Sequence, residues 1–284
     1  MKTDLLLIPM GATWSDIRAA AVAAEEAGFD GLWAWDHLRD PDGGADSPVP
    51  EVWTVLSALA EATRRVMLGP LVLNVGSRHP GILANMAATL QQVSGGRLLL
   101  GLGAGGGRSL PYAREYESIG LPVERDGVRA ARVAEACQVM KRLWAGDPSD
   151  FAGAHYRLAR PEGFLHPGPP AGAPPIVVGG FGPRMAGIAG RWADGFNTPA
   201  RSPHLAELVR VARDAHRESG RDPARFLVTV FTGLADGWLS QGSAPRAALE
   251  ALGVARLILL VQPPYDLARI RAAGRLLPAR PEVP

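Results

Sequence analysis

The sequence has little lysine and almost no cysteine. Lysine occurs only at Lys2 and Lys141, and the arginines that supply the other basic charges are scattered among alanines. A net charge of +2 without a basic run lacks the electrostatic pattern of a nucleic-acid-binding protein, so we expect no nucleic-acid partner. Cys137 is the single cysteine, which excludes a disulfide within the chain and is typical of a reducing compartment. Its apolar neighbours predict an inert, buried thiol.

Long apolar runs and leader signals are also missing. No apolar stretch approaches the roughly 18 residues that a membrane-spanning helix needs. The first residues run directly into a strand pattern, without the basic and then apolar segments of a signal peptide. We therefore expect no membrane partner and a cytoplasmic location. The motifs H-E-x-x-H, C-x-x-C and G-x-S-x-G are absent as well, so we expect no metal site and no serine-hydrolase chemistry.

Short apolar runs alternate with amphipathic stretches along the whole chain, which has 284 residues and 47% hydrophobic residues. The runs predict strands at about 5–10, 31–36, 66–74, 97–103, 176–179, 195–198, 226–232 and 256–261. The amphipathic stretches predict helices at about 15–27, 51–63, 80–94, 124–144, 183–192, 203–219, 244–252 and 266–276. A small hairpin at 151–158 and a proline-rich loop at 161–175 precede the fifth strand.

Strict alternation of strands and helices predicts an α/β fold with parallel strands. Eight such units at this length favour a (β/α)₈ TIM barrel that spans residues 1–284 as a single domain. The near-continuous apolar strands agree with a sheet that is covered on both faces. The alternative is a Rossmann-like sheet, but residues 9–14 after the first strand lack its glycine fingerprint.

Residues that can carry chemistry follow several of the predicted strands. Because a TIM barrel has its active site at the carboxyl ends of the strands, these residues are expected to share one rim. Strand two ends in Asp36-His37, and an imidazole can relay protons near neutral pH, although the pair alone equally fits a helix cap and a loop histidine. Glycine-rich loops at 101–107 and 179–183 follow strands four and five. The second loop opens a helix, whose free amides suit a phosphate, although an ordinary turn has the same pattern.

Taken in order, the rim segments resemble the luciferase-like monooxygenase superfamily, and more narrowly its F420-dependent oxidoreductases. The matching segments are 27–37, 50–53, 68–80, 94–105, 179–184 and 193–197, which together sample almost the whole chain. The resemblance implies a luciferase-like barrel and F420, a deazaflavin, as the cofactor. FMN is the alternative cofactor, because the same barrel binds both.

The resemblance also implies roles for individual residues. His37 matches the catalytic proton donor or base, and Asp36 matches a catalytic residue that lies by the cofactor ring and orients it. A non-prolyl cis peptide is expected at Asn74-Val75, and the candidate partners of the cofactor's phosphate and acidic tail are Arg78, Arg108 and Arg184. The implied cofactor-binding residues are Asp36, Asn74, Val75, Gly103, Gly105, Gly106, Gly179, Gly180, Phe181 and Gly182.

Two departures from the family pattern bear on the substrate. Relatives that oxidise a sugar phosphate carry a glutamate in the strand-four loop, where this sequence has Gly105-Gly106, so a sugar phosphate is disfavoured. Residues 233–243 hold little beyond a turn, where larger relatives insert a segment. The reduced insertion predicts an open pocket for a small molecule or, alternatively, a peptidic substrate. The family also implies a homodimer, for which the sequence shows no evident interface.

Three functions are compatible with these features. The first is an F420-dependent reductase or dehydrogenase, which transfers a hydride between F420 and an organic substrate. The second is an FMN-dependent monooxygenase that uses reduced flavin and O₂. The third is a non-catalytic barrel that only binds a cofactor, against which the intact Asp36, His37 and Gly179-Gly180 argue.

Overall fold

Parallel strands form a ring at the centre of the molecule. The structure is a computed structural model that describes residues 1–40, 43–44, 46–107, 112, 114–159 and 172–278. The strands of the ring are β1 (Lys2–Leu7), β2 (Gly31–Ala34), β3 (Met67–Pro70), β4 (Leu73–Asn74), β5 (Leu100–Gly103), β8 (Ile176–Gly179), β9 (Gly195–Pro199), β10 (Leu227–Gly233) and β11 (Arg256–Val261). Their order is β3-β2-β1-β11-β10-β9-β8-β5-β4.

The ring closes between β3 and the segment that leads into β5. Leu68 pairs in parallel with Leu98, and the Leu99 amide donates to the Leu68 carbonyl at 2.8 Å. Strands β3 and β4 are two halves of the single strand predicted at 66–74, so the ring has eight strand positions. The predicted luciferase-like (β/α)₈ barrel is confirmed.

Helices cover the outside of the ring. They are α1 (Trp14–Glu26), α2 (Val52–Ala62), α3 (Pro80–Val93), α4 (Arg114–Glu117), α5 (Asp126–Ala145), α6 (Pro183–Trp192), α7 (Leu205–Glu218), α8 (Asp236–Leu239), α9 (Ala244–Ala251) and α10 (Leu267–Gly274). Helix α4 lies in the stretch after strand four that the sequence predicts as helical up to a break at 120–122, whereas the one-turn helix α8 was not predicted, because one turn is too short to show a periodic pattern. None of the helices in the described ranges combines the length and apolar character that a bilayer crossing requires.

The segment between α5 and β8 contains the predicted hairpin. Strands β6 (Phe151–Ala152) and β7 (Arg157–Leu158) pair antiparallel outside the barrel, which confirms the hairpin at 151–158. The proline-rich loop predicted at 161–175 lies mostly outside the described residues.

Strand side chains alternate between two apolar layers. Leu5 belongs to the layer between the strands and the helices, whereas Leu6 and Trp33 belong to the cluster inside the ring. Trp33 is 1% exposed and donates from Nε1 to the Asp4 carboxylate at 2.8 Å. Gly69 leaves room for this indole, because a Cβ at position 69 would lie 2.5 Å from it. The interior of the barrel is therefore filled below the rim.

A cis peptide bond lies at Leu71-Val72, so the predicted position at Asn74-Val75 was wrong. The chain changes its hydrogen-bonding partner at this point. The Leu71 amide still donates to the Ala34 carbonyl, on the side of β2, whereas Leu73 and Asn74 pair with β5. Val75 continues the new pairing, with its amide 3.1 Å from the Gly103 carbonyl. The cis bond therefore lies between the segment that hydrogen-bonds to β2 and the segment that pairs with β5.

Three glycines around the cis peptide are required by packing. A Cβ at Gly101 would lie 1.9 Å from the Pro70 carbonyl oxygen. A Cβ at Gly103 would lie 2.3 Å from one methyl group of Val72, and a Cβ at Gly179 would lie 2.9 Å from the other. Strands β5 and β8 can therefore approach the cis peptide only because these positions have no side chain.

We predict opposite effects for two glycine-to-alanine substitutions. Gly101→Ala should lower the free energy of unfolding by about 1–3 kcal/mol or more, because the clashing atom belongs to the backbone. Gly187→Ala should raise it by up to about 1 kcal/mol, because Gly187 lies within α6 and a Cβ there meets nothing. Urea titration measures both, and equal stabilities would contradict the packing argument.

We also predict that Cys137 does not react in the folded protein. The thiol lies in α5 with no exposed surface, which confirms the expected buried position, and burial raises its pKa to about 12. Because the pKa is raised, almost no reactive thiolate is present at mildly alkaline pH. A thiol titration with Ellman's reagent should detect Cys137 only after unfolding, whereas Ser15→Cys, on the exposed side of α1, should react at once. Equal rates at both positions would contradict this prediction.

Candidate cofactor and active site

A cleft of about 800 Å³ lies at the carboxyl ends of the strands. The predicted cofactor residues Asp36, Asn74 and Gly180 come from three separate strand ends and all border it. The other predicted site residues that line it are His37, Gly103, Gly105, Gly106, Gly179 and Phe181. The predicted residues Val75 and Gly182 are not among the lining residues. Val75 is 3% exposed and belongs to the layer between the strands and the helices.

A bidentate ion pair holds the end of β2 to the start of α3. Arg78 donates to the two carboxylate oxygens of Asp36 at 2.7 and 3.0 Å and to Glu51, which caps α2, at 2.8 Å. The Asn74 amide adds a third hydrogen bond to Asp36 at 3.0 Å. Although burial opposes the charged form, these hydrogen bonds raise the pKa of Arg78 above its usual range. Arg78 is therefore committed to two carboxylates and not available as the predicted phosphate partner.

His37 is held by a glutamate from a different part of the rim. Its Nδ1 lies 2.9 Å from Oε1 of Glu115, and Oε2 of Glu115 accepts from the Leu38 amide at 2.8 Å. The Glu115 side chain is 2% exposed and the His37 side chain is 20% exposed. Because a carboxylate can only accept, Nδ1 carries the hydrogen and Nε2 is the nitrogen left for other partners.

Two aromatic rings flank the His37 imidazole. The Tyr112 ring lies against it with 4.2 Å between centroids, and the Trp35 ring meets it edge-on at 5.8 Å. Both aromatic residues line the cleft. The imidazole is therefore fixed by one hydrogen bond and two ring contacts, which restricts its rotation.

Arg129 packs beside the cleft, and its buried Nε has no hydrogen-bond partner among the described residues. The other end of the Arg129 guanidinium donates to the carbonyls of Ala104 and Gly106, each at 2.7 Å, and so holds the glycine loop after β5. Arg129 therefore joins α5 to this loop.

The start of α6 borders the cleft and offers uncapped backbone amides to an anion. No side chain caps this helix, whose N-cap is Gly182, and Pro183 occupies its first turn. Arg184 lines the cleft and forms no ion pair within the described part of the chain. A helix N-terminus beside a guanidinium favours a phosphate. The Gly180 amide donates to the Asn197 carbonyl at 3.0 Å, so Gly180 shapes the wall but offers no free N–H. Arg108, the third predicted phosphate partner, lies outside the described residues.

Sequence reasoning missed four residues of this site. They are Tyr112, Glu115, Tyr116 and Arg129, and the first three follow the glycine loop in a stretch without clear periodicity. Glu115 is 78 positions from His37, and no local motif connects the two. Only the closed barrel, which places the ends of β2 and β5 on one rim, could have indicated the contact.

Comparison with known proteins identifies similar chains. The family model for the luciferase-like monooxygenases matches residues 4–237. An F420-dependent glucose-6-phosphate dehydrogenase of Nakamurella multipartita is 36% identical over 213 residues, which cover 73% of this chain and 59% of that protein. An F420-dependent hydroxymycolic acid dehydrogenase of Mycobacterium tuberculosis is 32% identical over 207 residues, which cover 72% of this chain and 54% of that protein. The alignments therefore span little more than half of these relatives.

Solved structures share the fold over almost the whole chain. An F420-dependent secondary alcohol dehydrogenase, in complex with an F420-acetone adduct, has a TM-score of 0.78 at 19% identity and covers 97% of this chain and 98% of that chain. The coenzyme F420-dependent tetrahydromethanopterin reductase of Methanopyrus kandleri has a TM-score of 0.75 at 18% identity, with the same coverage. The closed barrel, its rim cleft and the family match over residues 4–237 lead to one conclusion: the chain belongs to the luciferase-like monooxygenase family.

Proposed function

We propose that this protein is an F420-dependent oxidoreductase, a reductase or dehydrogenase that transfers a hydride between F420 and an organic substrate. The observation that carries the proposal is a histidine, His37, which is fixed by Glu115 on the wall of a large cleft at the carboxyl ends of the strands. Two relatives above 30% identity and two solved structures of this fold are described as F420-dependent.

The residues of the cleft fit the parts of this cofactor. The first turn of α6 and Arg184 would hold the phosphate and the acidic tail. When it is bound, F420 supplies a ring carbon that gives or accepts a hydride.

The protein's own part in the reaction is to position the substrate and move a proton. With Nδ1–H bound to Glu115, His37 presents the lone pair of Nε2, which would take the proton of a substrate hydroxyl as the hydride leaves; in the reverse direction the doubly protonated ring would return that proton from Nε2 as the hydride arrives. Glu115 is a positioning residue, because it acts through the imidazole. Asp36 already accepts three hydrogen bonds from the protein, so its role is to hold the rim in place.

Other predictions of the sequence remain open to experiment. An FMN-dependent monooxygenase is the alternative function, and a barrel without catalysis is a further one. A cytoplasmic location, a single domain and a homodimer also remain predictions, as does a substrate other than a sugar phosphate.

We predict that the protein binds F420 more tightly than FMN. The two cofactors differ in the acidic tail, for which Arg184 at the cleft provides a charge partner. Fluorescence titrations of the purified protein with each cofactor measure both affinities. Arg184→Gln should weaken F420 binding by roughly threefold to tenfold and leave FMN less affected, as expected for an exposed charge contact. Tighter binding of reduced FMN, with oxygen consumption, would favour the monooxygenase, and no binding of either would contradict both enzyme functions.

We further predict that His37 and Glu115 contribute to turnover and not to cofactor affinity. His37→Ala should keep the F420 dissociation constant and reduce kcat by roughly a hundredfold or more, because the proton-transfer group is lost. Glu115→Gln should reduce kcat by about tenfold, because the amide holds the imidazole less well. Steady-state kinetics on an active alcohol or ketone measure both effects. Glu117→Gln, at an exposed position of α4, is the matched control, and full activity of His37→Ala would remove His37 from the mechanism.

A further inference from the structure

A second cavity of about 540 Å³ lies at the same rim as the cleft. It is bounded by the ends of β1 and β11, by the first turns of α1 and by the segment that follows β2. Among the described residues, Trp35 and Tyr112 are the two that line both this cavity and the cleft. Their side chains form an aromatic wall between two spaces whose linings otherwise differ.

The aromatic wall rests on the apolar cluster inside the ring of strands. Ile8 and Met10 of that cluster line the second cavity, whereas Leu71 of the same cluster lines the cleft. The floor is therefore apolar on both sides of the wall. Removal of a side chain from the wall would join the two spaces above one apolar surface, which suits an apolar ligand.

Trp35 is the member of the wall whose backbone is fixed on both sides. It follows Ala34, whose carbonyl accepts from the Leu71 amide at 2.8 Å. It precedes Asp36, which is held by its ion pair at the rim. The indole also meets the His37 ring edge-on, with 5.8 Å between the centroids. The fixed backbone and the ring contact therefore keep the indole between the two spaces.

The volume of the cleft is that of a site for a single large ligand. Pockets that enclose one drug-sized molecule measure about 300–1,000 Å³. The cleft measures about 800 Å³. A deazaflavin with its tail takes most of this volume, so little space remains beside His37 for a second molecule. The second cavity is the neighbouring free volume, but the aromatic wall excludes it from the reaction.

We propose that Trp35 determines the size of the substrate: it limits the site beside His37 to small alcohols or ketones and excludes molecules with a bulky apolar body. This inference rests on the proposed function, because it assigns most of the cleft to F420. The indole that contacts the imidazole thus also sets the length of the molecule that reaches it. Truncation of Trp35 would extend the site into the second cavity and admit a bulky apolar body.

Two methyl ketones that differ by one phenyl group test the size limit. They are 2-butanone and 4-phenyl-2-butanone, which are titrated into F420-loaded protein with ¹⁵N-labelled histidine. The imidazole NMR signal of His37, identified as the one that His37→Ala lacks, reports a ligand at this ring and requires no turnover. In the wild-type protein, the signal should respond to 2-butanone and need at least roughly tenfold more of the phenyl ketone, because the aromatic wall leaves no room for the phenyl group.

Truncation of Trp35 should reverse this preference. In Trp35→Ala, the dissociation constant of the phenyl ketone at His37 should fall by roughly tenfold or more, because the phenyl group is buried in the joined space. Trp35→Leu, which also removes the ring but keeps more apolar contact, should change the constant in the same direction. Trp35→Phe should retain most of the wild-type preference, because an aromatic ring remains in the wall.

A second substitution tests where the phenyl group lies. Ala19 lines the second cavity from α1 and does not line the cleft, so Ala19→Trp added to Trp35→Ala should remove the gain in phenyl-ketone affinity. Arg18→Trp, at an exposed position of the same helix, is the matched control and should preserve the gain.

Three results would overturn the proposal. They are an equal response of the wild-type protein to both ketones, an unchanged phenyl-ketone affinity in the folded Trp35 variants, and a gain that survives Ala19→Trp. Fluorescence titration of the same samples with F420 separates the two levels of inference. F420 binding without a size limit would contradict the role of Trp35 alone, whereas absence of F420 binding would contradict the proposed function itself.

Discussion

The ion pair between Asp36 and Arg78 is the interaction on which the rim depends. It joins the end of β2 to the start of α3. Asp36 also accepts a hydrogen bond from the Asn74 amide in β4, and Arg78 also donates to Glu51, the N-cap of α2. The Asp36 side chain is 2% exposed, and a buried charge that loses its partner costs several kcal/mol. The pair therefore fixes four elements relative to one another. His37 directly follows Asp36 in the chain, so its backbone is positioned by the same contacts.

The contacts of the His37 imidazole leave one ring nitrogen for chemistry. The ring contacts with Trp35 and Tyr112 and the bond to Glu115 use the imidazole's edges and faces, and only Nε2 remains for chemistry. The same two rings line both the cleft and a neighbouring cavity of about 540 Å³.

The barrel could be predicted from the sequence more completely than the site. Alternating apolar runs report burial directly, and the glycine loops and Asp36-His37 follow strands, so their placement on one rim could be deduced. Glu115 and Arg129 could not, because their roles depend on contacts between distant segments. Arg78 was among the partners that the resemblance implied for the phosphate and acidic tail, whereas its guanidinium pairs with the buried carboxylate of Asp36. The cis bond was placed three residues too late, since a change of strand partner leaves no mark in composition.

The packing around Val72 has a consequence for the family's evolution. Its two methyl groups occupy the space in front of Gly103 and Gly179, so the volumes at these three positions are linked. A homologue with a smaller residue at position 72 could carry alanine or serine at one of the glycine positions, and a homologue with a larger residue could not retain this backbone path. In an alignment of related barrels, the three positions should therefore vary together, although they lie on three different strands or loops and up to about a hundred residues apart in the chain.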